Sequence, residues 1–99
     1  MVTQEQIQQA LKKVYDPEIG INIVDLGLVY GIDVVDDQVF VNMTLTSPGC
    51  PVGPQIVRSV QREAAALEGV GQVDVQLVWS PLWSPEMMSE QAKDELGYY

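Results

Sequence analysis

The sequence of 99 residues has no histidine and a single cysteine, Cys50. Without imidazole there is no Ser-His or Cys-His nucleophile pair, and zinc or iron has no histidine ligand. One cysteine excludes an intrachain disulfide, and neither a charged leader nor an apolar run long enough to span a bilayer is visible. We therefore expect a cytoplasmic protein in which any metal site uses thiolate, oxygen ligands or a second chain.

Basic residues are also scarce, because five Lys and Arg stand against fourteen Asp and Glu and give a formal net charge of -9. This charge repels phosphate backbones and anionic lipid surfaces. We therefore expect neither nucleic acid nor membrane as a partner. A chain of this length is expected to form one domain, over residues 1–99, around a single core.

Hydrophobic periodicity predicts the secondary structure. Thr3 and Gln6 resemble a capping box that begins a helix, and Asp16-Pro17 ends it. An apolar stretch that glycines interrupt, 19–28, predicts a packed loop, and Ser84 is expected to cap a short C-terminal helix. The predicted helices cover 4–14, 54–69 and 86–96, and the predicted strands cover 29–35, 39–46 and 72–79.

This order of elements predicts an α+β fold, a two-layer sandwich with an αββαβ core, a small mixed three-stranded sheet and a short C-terminal helix. In the second strand, Val39 to Leu45 alternate with polar residues, so Thr44 and Thr46 are expected on the face opposite the core. Alternation in the third strand favours a core position for Trp79.

Cys50 follows the second predicted strand and precedes the second predicted helix. At a helix N-terminus, unpaired backbone N–H groups and the helix dipole lower the pKa of a thiol from ~8.5 to roughly 3.5–7.5. The alternative is a small buried apolar residue, the usual role of a free cysteine. The flanking residues Ser47, Pro48, Gly49 and Pro51 are typical of a turn, which favours a presented thiol.

Five short segments occur in an order that resembles the SufT/PaaD-type iron–sulfur assembly family, over residues 7–97. They are Asp16-Pro17-Glu18, 22–29, Thr46-Ser47-Pro48-Gly49-Cys50-Pro51, 79–83 and Met87-Met88-Ser89. The resemblance implies an αββαβ domain that helps to install iron–sulfur clusters in client proteins, with Cys50 as its characteristic thiol. Some relatives carry a cysteine-rich C-terminal segment or a fused P-loop ATPase, and this sequence is expected to be the stand-alone form.

One cysteine cannot supply the four ligands of an ordinary 2Fe-2S cluster. We therefore expect transient cluster binding in a homodimer with two Cys50 thiolates, completed by oxygen ligands, a small thiol or the client's own cysteines. The candidate oxygen ligands are Asp25, Thr46 and Ser47, and Asp16 and Glu18 are candidates for the rim of the site. The alternative roles are a turn residue for Asp25, a helix stop for Asp16 and a solvated side chain for Glu18.

Large apolar side chains gather near the C-terminus of the sequence. Trp83, between two prolines, is predicted to form a protein interface together with Met87 and Met88. The partners expected are client iron–sulfur apoproteins or an assembly scaffold.

The leading hypothesis is thus an assembly or carrier factor without enzymatic turnover. The alternatives are a protein-interaction adaptor that never holds iron, and a thiol-redox enzyme, although no resolving cysteine accompanies Cys50.

Overall fold

The computed structural model describes residues 2–46 and 52–97. No helix in these two segments has both the length and the apolar character that a bilayer crossing requires. The order of elements confirms the predicted αββαβ core with a short C-terminal helix. The elements are α1 (Gln4–Leu11), β1 (Val29–Val35), β2 (Gln38–Met43), α2 (Gly53–Ala65), β3 (Gln72–Leu77), a 3₁₀ turn (Pro85–Met87) and α3 (Glu90–Leu96).

The sheet has β2 at its centre. β1 pairs with it antiparallel through a tight turn, and β3 pairs with it parallel after the α2 crossover. The predicted mixed three-stranded sheet is therefore confirmed. An irregularity between Val29 and Gly31 interrupts the register of β1 and leaves Tyr30 without a partner opposite it. Such bulges re-aim a side chain at the edge of a sheet.

One hydrophobic core lies between the sheet and the two longer helices. The inward residues of β2 are fully buried, and α1 and α2 each present an apolar stripe to them. This packing follows from period 2 in the strand and period 3.6 in the helices. The members are Val39, Val41 and Met43 of β2, Ile7, Ala10 and Leu11 of α1, and Ile56, Val60 and Ala64 of α2.

The segment between α1 and β1 is a packed loop, as predicted. Four of its apolar side chains are buried: Ile21, Ile23, Leu26 and Leu28. Its backbone groups bond locally and to neighbouring elements, since Ile23 N donates to Val14 O at 2.9 Å and Thr44 N donates to Leu28 O at 2.8 Å. These bonds allow an irregular backbone to enter the core.

The bounds of several elements differ from the prediction. α1 ends at Leu11 because the N–H groups of Lys13 and Val14 donate three residues back, which tightens the last turn. β2 ends at Met43, so the alternation stops there, and both Thr44 and Leu45 are buried. The expectation that Thr44 faces away from the core is therefore wrong.

The C-terminal helix also begins later than predicted. Ser84 precedes the 3₁₀ turn and makes no capping bond with its side chain, whereas Ser89 Oγ accepts from Ala92 N at 3.1 Å. Ser89 is therefore the N-cap of α3. Gly97, with φ of 77°, ends the helix in the left-handed conformation.

Candidate functional site

The connection between β2 and α2 carries the predicted thiol. Cys50 and Ser47 lie outside the residues that the structure describes, but both ends of their connection are described. The two ends pack closely, because a Cβ added to Gly53 would lie 2.7 Å from Leu45 Cδ1. Thr46, the last described residue before the connection, is partly buried. A larger residue at position 53 would thus require the Leu45 side chain to move.

α2 begins without a side-chain cap. Its N-cap, Val52, has no oxygen to offer to the first turn, and Pro54 has no N–H of its own. Within the described residues no side chain caps this first turn, and a helix N-terminus of this kind favours a negatively charged group. This is the environment that the sequence predicts for the Cys50 thiolate, whose position itself is not described.

Beside this connection lies an apolar cleft between α2 and the end of β3, which we call the α2–β3 cleft. Its volume is about 570 Å³. Trp79 forms part of its wall and is 37% exposed, so the prediction of a core position for Trp79 is wrong. The strand ends two residues earlier, at Leu77, and releases Trp79 to the rim. The described lining residues are Leu45, Gly53, Pro54, Val57, Arg58, Leu77 and Trp79.

Sequence reasoning missed this cleft. Val57 and Arg58 belong to the second predicted helix and Leu77 to the third predicted strand, and hydrophobic periodicity in such elements indicates a core face, not an open cleft. One sequence signal could have indicated the cleft: β3 is the last predicted strand in the chain. In the described sheet it lies at the edge and pairs with β2 only. An apolar residue at the end of an edge strand is not covered by the sheet itself.

Asp25, a predicted ligand, lies in a turn of the packed loop. Its Oδ2 accepts from Asn22 Nδ2 at 2.7 Å, and its N–H donates to Asn22 Oδ1 at 2.9 Å. Its carbonyl accepts from Ser89 N at 2.7 Å, which attaches the start of α3 to the loop. This geometry is that of the turn residue considered as the alternative. A ligand role for Asp25 stays a prediction.

Asp16 and Glu18, the candidates for the rim, differ in burial. Asp16 is 2% exposed, and its Oδ1 accepts from Glu18 N at 2.9 Å and from Ile19 N at 3.3 Å. Its carboxylate thus stabilises the turn that follows α1, which is the role of a helix stop. The Glu18 side chain is exposed. Because Cys50 lies outside the described residues, a place for Asp16 and Glu18 at the rim of its site stays a prediction.

Residues 80–89, which we call the C-terminal strap, lie against the packed loop. Trp83 Nε1 donates to Leu26 O at 2.7 Å, and Tyr30 Oη donates to Pro81 O at 2.8 Å. Trp83 and Met87 are partly buried, and Met88 lies in the core at 5% exposure. Of the three predicted interface residues, Met88 therefore offers almost no surface, and an interface role for the other two stays a prediction.

Within residues 2–46 and 52–97, no group of three or more Cys, Asp or Glu is placed to hold a metal ion. The described part of one chain therefore does not provide a complete cluster site by itself. A lone thiolate would need ligands from a second copy, a client or a small thiol.

The fold and the site define a small α+β domain with its single cysteine at a strand-to-helix connection. Residues 4–75 match the family described as iron-sulfur cluster assembly protein. The match covers more than half of the chain, and the chain belongs to this family. The family predicted from the sequence segments is thereby confirmed.

Relatives extend this similarity over nearly the whole chain. An Fe-S protein maturation auxiliary factor from Porphyromonas gingivalis is 45% identical over 97 residues, which cover 97% of this chain and 92% of the relative. The Fe-S protein maturation auxiliary factor SufT from Staphylococcus aureus is 52% identical over 85 residues, 85% of this chain and 97% of the relative. The crystal structure of a domain of unknown function from Bacillus anthracis has a TM-score of 0.93 at 39% identity and covers 97% of this chain and 92% of its own. This structure confirms the predicted fold class.

Proposed function

We propose that this protein takes part in the maturation of iron–sulfur proteins and holds iron or a nascent cluster transiently through the Cys50 thiolate. The observation that carries the proposal is the position of the single cysteine in a family of iron–sulfur assembly proteins. It lies in the short connection between the central strand and the uncapped N-terminus of α2. A thiolate is a soft ligand suited to iron and to sulfide exchange.

One chain does not supply all the ligands that a cluster needs, because it has a single cysteine. Each protomer brings one thiolate, so a cluster would be shared by two copies or completed by the client's cysteines. Incomplete ligation favours transfer over storage, because the carrier leaves cluster positions that client thiolates can occupy. The activity proposed is thus delivery of a cluster to client apoproteins, without turnover chemistry of the carrier's own.

A second candidate function is a protein-interaction adaptor that never binds iron. The exposed apolar surface of the α2–β3 cleft favours it, since such surfaces mark sites of protein contact. Both candidates use a partner surface, and only the carrier requires the thiol. Iron loading therefore separates them.

Anaerobic reconstitution with ferrous iron and sulfide tests the carrier function. Wild-type protein and Cys50→Ala are reconstituted side by side, with Val35→Ala, at an exposed residue beside the β1–β2 turn, as the control that keeps the thiol and every candidate ligand. We expect visible absorption and bound iron in the wild type and their loss in Cys50→Ala. Sedimentation of the loaded protein then shows whether two chains share one cluster.

Two results would contradict the carrier function. Equal iron content in wild type and Cys50→Ala would show that the thiol is not a ligand. Absence of cysteine-dependent absorption in the wild type would favour the adaptor. A rapid reaction of the Cys50 thiol with peroxide, well above that of an ordinary thiol, would instead indicate the thiol-redox enzyme.

A further inference from the structure

We propose that the α2–β3 cleft binds a segment of a partner protein in which a large apolar side chain lies next to a carboxylate. The inference rests on the proposed function in one respect: the partner is taken to be a client apoprotein. The cleft would then be the surface that holds the client while the thiol-bearing connection acts on it. The apolar surface, the charge and the location of the cleft each support this.

The apolar part of the argument comes from two exposed side chains. Leu77 is 41% exposed and Trp79 is 37% exposed, although both are large and apolar. Val57 on the facing helix is partly buried, and Leu45 is buried beneath. Tryptophan is enriched among the residues that provide most of the binding energy in protein interfaces. The cleft therefore offers an anchor of the kind that a partner's apolar side chain requires.

The charge of the cleft is opposite in sign to that of the chain. Arg58 is the only charged residue in the described lining, whereas the whole chain has fourteen acidic residues and a net charge of -9. The ion pair found within residues 2–46 and 52–97 joins Arg62 to Glu63, so no described carboxylate neutralises Arg58. A guanidinium group pairs with a carboxylate through two parallel hydrogen bonds. The partner segment should therefore carry an Asp or Glu.

The same charge argues against a second copy as the occupant. In a two-fold symmetric contact the same patch faces itself, so each copy would bring an Arg58 guanidinium group and no described lining carboxylate to pair with the other. This does not favour association through the cleft itself, whereas a partner with a local carboxylate satisfies the arginine.

The location of the cleft connects it to the thiol. Leu45 precedes the connection that carries Cys50, and Gly53 and Pro54 follow it. Residues from both ends of this connection therefore line the cleft. A segment bound there lies next to that connection. Binding would raise the effective concentration of the client's cysteines near the Cys50 thiolate without any new ligand to the cluster.

Selection from a random dodecapeptide library displayed on phage tests the recognised chemistry. Reduced full-length protein is immobilised as wild type, Arg58→Glu and Arg62→Glu. We expect the wild type to enrich peptides in which Asp or Glu adjoins a large apolar residue, and Arg58→Glu to enrich Lys or Arg at that place. Arg62→Glu is the matched control, because it makes the same charge change on the same helix but outside the described lining. It should select as the wild type does.

Titration of the most enriched peptide then locates the binding. In ¹H–¹⁵N spectra the indole N–H of Trp79 should shift, while that of Trp83, bonded to Leu26 O, should not. Trp79→Ala should weaken binding at least about tenfold. Tyr15→Ala is the control, since Tyr15 is 57% exposed and outside the cleft. It should leave the affinity unchanged.

Three results would overturn the proposal. They are no enrichment on the wild type, an acidic preference that persists in Arg58→Glu, and a wild-type dimer that Trp79→Ala dissociates, which would assign the cleft to a second copy. The iron-loading assay keeps the two proposals distinct. Loss of peptide binding with cysteine-dependent iron retained would refute the cleft alone, and peptide binding without such iron would refute the carrier function alone.

Discussion

Replacing Gly27 by alanine should detach the C-terminal strap from the packed loop. Gly27 has a φ of +80°, a left-handed conformation that costs an L-residue roughly 1–2 kcal/mol. An added Cβ would also overlap the carbonyl of Met87, coming within 2.8 Å of its carbon. Because this neighbour is backbone, the strap itself must move.

The cost of that movement follows from the bonds that hold the strap. The hydrogen bonds from Trp83 Nε1 to Leu26 O and from Ser89 N to Asp25 O are both 2.7 Å long, and each contributes about 0.5–1.5 kcal/mol. Alanine recovers part of the loss by restricting the unfolded chain, by about 0.4–1 kcal/mol. The net expectation is a decrease of about 1–5 kcal/mol in the free energy of unfolding.

Gly20→Ala is the matched control for this prediction. Gly20 has a φ of +83°, but no atom lies within 4 Å of an added Cβ. It therefore carries the conformational cost without the collision, and we expect a loss of about 1 kcal/mol. Urea unfolding measures both variants, and equal slopes show that their midpoints can be compared. If the two variants lose the same free energy, within about 0.5 kcal/mol, the collision with the strap does not contribute and the reasoning fails.

Thr3→Ala removes the side chain that accepts from the first turn of α1 and should lower the free energy of unfolding by about 1 kcal/mol, measured by urea unfolding; an unchanged midpoint would contradict the capping box. Trp83→Phe keeps a ring but removes the donor to the packed loop and should cost about 1–2 kcal/mol, whereas Trp79→Phe at the exposed rim should cost less. The reverse order would show that the strap is not held by the indole. Asn22→Ala removes both side-chain bonds to Asp25 and should cost about 1–2 kcal/mol while leaving reconstituted iron unchanged. If the Asn22→Ala variant is fully folded but binds less iron after reconstitution, this would instead support Asp25 as a ligand.

Local signals in the sequence correctly predicted the start of α1 and the inward face of β2. The capping box formed by Thr3 and Gln6 is present as expected, with bonds of 2.9 and 3.1 Å. The alternation in β2 placed Val39, Val41 and Met43 in the core correctly. Each of these features depends on residues within a few positions of one another, so periodicity and capping rules capture them.

The predictions that were wrong depend on contacts between distant segments. Thr44 is fully buried, and its N–H donates to Leu28 O, sixteen residues earlier, in the packed loop. Trp79 was expected in the core, but it lies two residues beyond the end of β3 and is exposed at the rim of the cleft. The path of the chain after β3, which sequence alternation does not give, decides this position.

The amino-acid sequence by itself determined the family, the order of helices and strands, and the chemistry on offer: one thiol, no imidazole and a strong excess of carboxylates. These are properties of residue type and short-range spacing. Only the tertiary structure decided that Thr44 and Met88 are buried and that Arg58, Leu77 and Trp79 line one cleft beside the thiol-bearing connection. The physical reason is that burial and proximity arise from the packing of segments far apart in the chain, which no local pattern encodes.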